Sequence, residues 1–256
     1  ALAWIADQPG TLSSHIIQID GIQREYELYT LAAYDGDASW PLVINLHGYT
    51  SETQFQIDVS QMNAVADTAH FLVAYPRGLT VTRTPPDYLP DFVPASGAGW
   101  HIPDVPSEQN DIAFLIELIE SLEMSHAVDS QRVHLMGLSM GGSMSLHAAG
   151  QLKEQLASVA SVAAFPTNLT LTNAQPGPPI SHMIIHGSED GIFSTEGKVG
   201  HYESLSNTMD ALRVDGECEG EFMETQLPDL DGEDGSTVTL FQAIDCNEDR
   251  EYSYYR

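Results

Sequence analysis

RVHLMGLSMGGSMSLHAAG, residues 132–150, contains the pattern Gly-x-Ser-x-Gly, with Ser139 between Gly137 and Gly141. A short apolar run precedes the serine, and a run typical of a helix follows it. A strand that turns directly into a helix strains the backbone at the turn, and side chains two positions away would clash there. Glycines remove those clashes, so the stretch predicts an exposed serine nucleophile at a helix N-terminus. The alternative is a glycine-rich turn whose serine has no chemical role.

Short apolar runs alternate with helical patterns on both sides of this stretch. Residues 41–48, 71–76 and 181–187 have the length and composition of buried strands, and residues 110–124 form an amphipathic helix that Asn110 or Asp111 caps. This alternation predicts an α/β domain with a mostly parallel central sheet and helices on both faces.

The chain has no recognisable linker or internal repeat, which predicts a single domain over residues 1–256. At its N-terminal end, residues 15–34 alternate apolar and polar side chains around Asp20-Gly21. This dipeptide is typical of a two-residue hairpin turn, so we expect an N-terminal antiparallel hairpin.

The charge is strongly negative: 37 Asp and Glu residues face 9 Lys and Arg residues, for a formal net charge of −28. Such a surface repels nucleic-acid phosphate and anionic membranes. No apolar run approaches the ~18 residues of a membrane-spanning helix. We therefore expect no nucleic-acid partner and no membrane insertion. A salt-adapted source and an ordinary acidic secreted protein both explain the charge.

A serine hydroxyl needs a base and a third, orienting group, and in hydrolases with this turn an Asp or Glu follows the serine in the chain. Asp190, directly after the apolar run 181–187, is the predicted triad acid, and Glu189 is its rival. A solvated turn carboxylate is the plainer alternative for either. The backbone N–H groups of Tyr49 and Met140 are predicted to form the oxyanion hole.

The segments PLVINLHGYT, AYPRGL, GWH, RVHLMGLSMGGSMSLHAA and IIHGSEDGIF resemble the secreted esterase family that includes poly(3-hydroxybutyrate) depolymerases and feruloyl esterases. The resemblance covers nearly the whole chain and implies an α/β-hydrolase fold with Ser139 as nucleophile and Asp190 as triad acid. It implies hydrolysis of carboxylic esters through an acyl-serine intermediate. The implied substrates are hydroxyalkanoate, feruloyl, acetyl or small acyl esters, as polymers or as small molecules.

Two cysteines, Cys218 and Cys246, flank the acidic, turn-rich stretch LPDLDGEDGST. A disulfide closing this loop is expected, and the resemblance implies the same pairing; two buried thiols would be expected of a cytosolic protein. The disulfide predicts a secreted, extracellular or periplasmic protein. We predict no cofactor and no metal site, because Asp234 stands where a calcium loop needs glycine.

The resemblance places the catalytic histidine after the last strand. Residues 251–256, EYSYYR, have the pattern of that strand and the sequence ends at Arg256, so we expect the C-terminal end of the domain, with the histidine, beyond this position. His201 is an alternative that satisfies the chain order alone. His47 is expected to brace a loop, and His186 to be structural. Without a histidine the fold would serve as a non-catalytic binding protein; a peptidase is the other alternative.

Residues 77–110 form a long irregular segment rich in proline and aromatic residues. A connection of this length inside a compact domain is typically functional. We predict that it covers part of the substrate cleft and that Trp100 and His101 contact the substrate there.

Overall fold

The computed structural model describes residues 9–82, 93–103, 105, 109–247 and 250–256. Its strands are β1 (Thr11–Ile19), β2 (Ile22–Thr30), β3 (Trp40–Leu46), β4 (Leu72–Pro76), β5 (Thr80–Thr82), β6 (Ser96–Ala98), β7 (Val128–Leu138), β8 (Ser158–Val162), β9 (Ser181–Ile185), β10 (Met223–Gln226), β11 (Thr239–Gln242) and β12 (Tyr252–Tyr255). Its helices are α1 (Thr53–Ser60), α2 (Met62–Ala69), α3 (Asp111–Ser125), α4 (Met140–Ala149), α5 (Asn168–Thr172) and α6 (Leu205–Asp215).

Ten of these strands form one mixed sheet in the order β1-β2-β4-β3-β7-β8-β9-β12-β11-β10. The six central strands, β4 to β12 in this order, run parallel, and antiparallel strands extend the sheet on both sides. The predicted hairpin is present as β1 and β2, and its turn residues Asp20 and Gly21 have φ values of 51° and 80°. The six parallel central strands confirm the predicted, mostly parallel central sheet.

Helices pack on both faces of the sheet, as predicted. On one face α1 and α2 cover Tyr29, Val73 and Tyr75. On the other face α3 and α4 enclose the largest apolar cluster, and α6 packs over Ile184 and Tyr254. None of the helices in the described part of the chain is long and apolar enough to cross a membrane.

Local backbone conformation and side-chain caps set where several helices begin and end. Gln61, whose φ is 51°, separates α1 from α2. Helix α6 begins at Leu205, because the Ser204 side chain accepts a hydrogen bond from the N–H of Asn207 and caps it. Asn110 caps α3 by accepting from the N–H of Ala113.

The C-terminal antiparallel strands are tied to the end of α6 by a disulfide between Cys218 and Cys246, 28 residues apart in the chain. This confirms the predicted pairing. Closing a loop of this length removes conformational freedom from the unfolded chain, which corresponds to about 3–4 kcal/mol of stability. The bridge closes the loop that contains β10 and β11.

His182, in β9 and stacked on Tyr252, makes folding sensitive to acid. Burial lowers the pKa of His182 to about 4, with the nearby Asp215 acting in the opposite direction. An unfolded chain restores a pKa near ~6.5, so between pH 6.5 and pH 4 the unfolded state binds the extra proton. The stability present above pH 6.5 is therefore lost as the pH falls through this window, by roughly 3 kcal/mol at pH 4.

We expect His182→Phe to flatten the dependence of the unfolding free energy on pH between 6.5 and 4.5. The phenyl ring retains the stack on Tyr252 but cannot titrate. Urea unfolding at five or six pH values measures the slope, which should decrease by up to about one proton in the variant. The other buried histidines keep their contributions in both proteins. Parallel curves for the two proteins would contradict the assignment.

Candidate active site

Ser139 lies at the turn between β7 and α4, in the strand-to-helix arrangement that the sequence predicts. Its backbone has φ 55° and ψ −120°, a strained conformation for a residue with a side chain. Such strain costs about 1–3 kcal/mol and is typical of functional sites. The serine N–H donates to the carbonyl of Val162, and its own carbonyl accepts from Ser143 at the first turn of the helix.

The two flanking glycines are required by close backbone approaches. A Cβ at Gly137 would lie 2.3 Å from the carbonyl carbon of Gly141, and a Cβ at Gly141 would lie 2.4 Å from the carbonyl oxygen of Leu46. Both distances are far below van der Waals contact. The turn is therefore compatible only with glycine at these positions, which is the physical reason for the Gly-x-Ser-x-Gly pattern.

The 47–50 loop, which follows β3, lies directly against the serine. A Cβ at Gly48 would be 3.4 Å from the Cβ of Ser139. The side chains of Tyr49 and Met140 both approach Gly99, each at about 3 Å from its ideal Cβ position. The structure thus brings together the two residues whose N–H groups are predicted to bind an oxyanion, and their role as donors stays a prediction.

The His47 side chain stabilises this loop through hydrogen bonds that involve both ring nitrogens. Its Nδ1 lies 2.7 Å from the carbonyl oxygen of Gly48, and its Nε2 accepts a hydrogen bond of 2.9 Å from the N–H of Gly78. A carbonyl can only accept, so the proton of the neutral ring is on Nδ1. Burial lowers the pKa of His47, which favours this neutral form. The histidine therefore has a structural role, as expected.

Trp100 is buried beside the 47–50 loop, and its contact with a substrate stays a prediction. Its side chain has no exposed surface. The indole N–H donates to the carbonyl of His47 at 2.8 Å, and the two rings lie 5.0 Å apart. The buried indole therefore supports the 47–50 loop from inside the core.

His101 likewise belongs to the framework. Its N–H donates to the Asp111 carboxylate at 2.6 Å, and its Nδ1 lies 2.7 Å from the carbonyl oxygen of Gln109. Asp111 in turn forms a buried ion pair of 2.7 Å with Arg24. Burial lowers the pKa of His147, and the nearby His101 adds a smaller effect in the same direction. The contact of His101 with a substrate stays a prediction.

Asp190 lies in the 187–193 loop that follows β9. Its Oδ1 accepts hydrogen bonds from the N–H groups of Ile192 and Phe193, at 2.7 and 2.9 Å. Its side chain is 19% exposed, whereas its rival Glu189 is exposed at the surface. Within the described part of the chain, Oδ2 accepts no hydrogen bond. The carboxylate is therefore oriented through one oxygen and open to a further donor through the other.

The register of the sheet places these features at one edge. Leu138, Val162, Ile185 and Tyr255 are paired in one row across β7, β8, β9 and β12. All four strands are parallel and end at this row, so Ser139, the 187–193 loop and Arg256 emerge at the same edge. With ~4.8 Å between neighbouring strands, the row measures ~14 Å from Leu138 to Tyr255.

His201 lies in a turn beside the 187–193 loop. Its N–H donates to the carbonyl of Lys198, and the following residue, Tyr202, approaches the loop through its hydroxyl, which accepts from the N–H of Ser194. The turn precedes α6, which begins at Leu205. Which histidine serves Ser139 stays a prediction.

Comparison with known proteins fits this arrangement. A family model described as phospholipase/carboxylesterase matches residues 33–224, which is 192 of the 256 residues. The chain belongs to the phospholipase/carboxylesterase family. Membership of this family confirms the esterase resemblance and the α/β-hydrolase fold.

Two proteins with sequence similarity to this member of the carboxylesterase family are named for ester substrates. A bifunctional acetylxylan esterase/xylanase from Neocallimastix patriciarum is 28% identical over 154 residues, which are 60% of this chain and 20% of the relative. A poly(3-hydroxyalkanoate) depolymerase from Paucimonas lemoignei is 26% identical over 130 residues, which are 50% of this chain and 29% of the relative. The chain therefore spans less than a third of the length of these two proteins.

One solved structure is similar in fold to this family member over nearly the whole chain. The acetyl xylan esterase from Aspergillus awamori superposes with a TM-score of 0.64 at 14% identity, covering 94% of this chain and 92% of that protein. At this identity the likeness shows the fold alone.

Proposed function

We propose that the protein hydrolyses carboxylic esters through an acyl intermediate on Ser139. One observation carries the proposal: the serine occupies a strained turn, with the N-terminus of α4 on one side and the 47–50 loop on the other. Strained backbone conformations occur preferentially at active sites and ligand-binding sites. Here it places a hydroxyl among backbone N–H groups that favour negative charge.

In the proposed reaction, the Oγ of Ser139 attacks the acyl carbonyl carbon while a base removes the hydroxyl proton. The carbonyl oxygen becomes an oxyanion and accepts hydrogen bonds from the N–H groups of Tyr49 and Met140, each contributing about 3–4 kcal/mol to transition-state stabilisation. The C–O bond to the alcohol then breaks, and the base returns the proton to the leaving alcohol. Water repeats the sequence to release the acid and restore the serine.

Asp190 is proposed as the group that orients the base. Its Oδ1 is held by two backbone N–H groups, so its position is fixed before the substrate binds. Its Oδ2 can accept the remaining ring N–H of a histidine and stabilise the imidazolium that forms when the serine loses its proton.

The base is proposed to be a histidine that follows Arg256 in the chain. The row from Leu138 to Tyr255 supports this, because it brings Arg256 to the same edge as Ser139. A distance of ~14 Å is within reach of about five extended residues. His201 is the alternative base, on a turn beside the 187–193 loop.

Acetyl esters of plant polysaccharide are the proposed substrates, on the strength of the acetylxylan esterase relative. Feruloyl esters and hydroxyalkanoate esters are the competing possibilities, the latter supported by the depolymerase relative. The disulfide and the high negative charge further support a working environment outside the cytosol.

The proposal is tested by measuring the hydrolysis of several substrates by one preparation of protein that extends past residue 256. We expect hydrolysis of p-nitrophenyl acetate and acetate release from acetylated xylan, with less product from methyl ferulate and from 3-hydroxybutyrate oligomers. A peptide p-nitroanilide, cleaved by a peptidase, should give no product. If folded protein cleaves none of the esters, the hydrolase function is wrong; a preference for hydroxybutyrate oligomers would retain the mechanism and change the substrate.

A further inference from the structure

His186, the residue directly after β9, has no part in the mechanism above, yet it is buried beside the triad acid. Its side chain has no exposed surface, and its ring lies 4.3 Å from that of Phe165. Its Nε2 is 2.6 Å from the carbonyl oxygen of Phe193. A carbonyl oxygen can only accept, so Nε2–H is the donor of this bond.

This hydrogen bond joins the two ends of the 187–193 loop. His186 stands at the start of the loop and Phe193 at its end, and the N–H groups that hold Oδ1 of Asp190 belong to Ile192 and Phe193. Any displacement of Phe193 therefore displaces the donors of the carboxylate. Nε2 also lies 3.7 Å from Oδ2 of Asp190, beyond hydrogen-bond distance, so the imidazole leaves that oxygen available.

Packing alone does not explain a histidine at this position. The second ring nitrogen, Nδ1, is buried and has no hydrogen-bond partner in the described part of the chain. An apolar ring would contact Phe165 equally well and avoid the cost of burying an unpartnered polar atom. What the histidine adds is the Nε2–H donor to the Phe193 carbonyl.

His186 is also unsuited to be the base for Ser139. Its protonated nitrogen is already committed to the Phe193 carbonyl, and the ring has no surface through which it can reach a substrate. Its contribution to catalysis must therefore pass through another residue.

We propose that His186 is a positioning residue for Asp190: its hydrogen bond to the Phe193 carbonyl fixes the 187–193 loop so that Oδ2 of Asp190 stays directed toward the base. The inference rests on the proposed function, in which Asp190 is the triad acid. Misplacing a catalytic group by about 1 Å costs up to about 100-fold in rate, so a small relaxation of this loop has a large effect.

Three variants test the inference in protein that extends past residue 256. His186→Phe removes the donor and keeps a ring against Phe165. His186→Gln places an amide N–H near the position of Nε2 and restores the donor. His182→Phe is the matched control, because it replaces the other buried histidine of the same sheet face, four residues earlier and at the far end of β9.

We expect His186→Phe to lower kcat for p-nitrophenyl acetate by about 10–100-fold with KM changed by less than about threefold. His186→Gln should recover most of the lost kcat, and His182→Phe should keep the wild-type kcat. Hydrogen exchange of the peptide covering residues 187–194 gives a second readout that does not depend on turnover. Its amides should exchange at least about tenfold faster in His186→Phe and at the wild-type rate in the other two variants.

The inference is overturned if His186→Phe keeps the kcat and the exchange protection of His182→Phe, or if His186→Gln is no better than His186→Phe. Asp190→Asn separates this from a failure of the proposed function. If Asp190→Asn loses activity while His186→Phe does not, the positioning role alone is wrong. If Asp190→Asn keeps full activity, the triad assignment is wrong and the inference falls with it.

Discussion

Replacing Ser139 by alanine is expected to abolish ester hydrolysis, with kcat reduced by about 10⁴–10⁶-fold. The reason is that the alanine variant has no nucleophile, while the N–H groups of Tyr49 and Met140 remain in place. Alanine has the same Cβ as serine, so it tolerates the φ of 55° no worse and the turn should persist. The measurement is turnover of p-nitrophenyl acetate, together with labelling of the active serine by a fluorophosphonate and mass spectrometry of the labelled peptide.

Ser145→Ala is the matched control for this variant. Ser145 lies in the same helix, and its buried hydroxyl donates to the carbonyl of Gly141 at 2.9 Å, close to the same turn. Its removal should leave kcat within a few-fold of wild type. Unchanged urea midpoints in both variants establish that the fold is intact. Full activity in Ser139→Ala, or label on another serine, would exclude the acyl-serine mechanism.

Replacing Asp190 by asparagine is expected to lower kcat by about 10³–10⁴-fold, the loss that follows when a triad acid no longer fixes the tautomer of its histidine. An amide can still accept from Ile192 and Phe193 through its oxygen, so the 187–193 loop should keep its conformation. The group that replaces Oδ2 then presents an N–H where the base requires an acceptor. Steady-state kinetics and circular dichroism together distinguish loss of chemistry from loss of fold.

Glu189→Gln is the control, since it neutralises the neighbouring exposed carboxylate without changing that of Asp190. We expect kcat within about twofold of wild type, as for surface changes remote from the chemistry. The opposite ranking of the two variants would assign the acid to Glu189. Adding His201→Ala to the series identifies the base: retained activity supports a histidine after Arg256, and a loss as large as that of Asp190→Asn supports His201.

Local backbone requirements are the part of this protein that the sequence predicts best. The glycines around Ser139 indicate the turn because any Cβ there would collide with backbone atoms 2.3–2.4 Å away. Asp20-Gly21 indicates the hairpin because both residues adopt positive φ. The Gly137 clash, which is with Gly141, and the Asp20-Gly21 turn involve residues close in the chain, so a short stretch of sequence is enough to reveal them. The Gly141 clash is with Leu46 of β3 and appears only in the folded chain.

The roles of Trp100, His101 and His186 are decided by packing between distant segments. The Trp100 ring is buried, and its indole N–H donates to the carbonyl of His47, 53 residues earlier in the chain. His186 was expected to be structural, and only the folded loop shows which carbonyl it holds. No periodicity or motif encodes the partner of a buried polar group.

The sequence by itself determined the strand-to-helix turn at Ser139, the N-terminal hairpin, the alternation that produces a mostly parallel sheet and the cysteines available for a bridge. Only the tertiary structure decided that one row of the sheet contains Leu138, Val162, Ile185 and Tyr255. As a result the serine, the acid and Arg256 lie at the same edge of the sheet. The physical reason is the range of the interactions. Backbone sterics act over a few residues, whereas strand register is set by burial of side chains contributed from the whole chain.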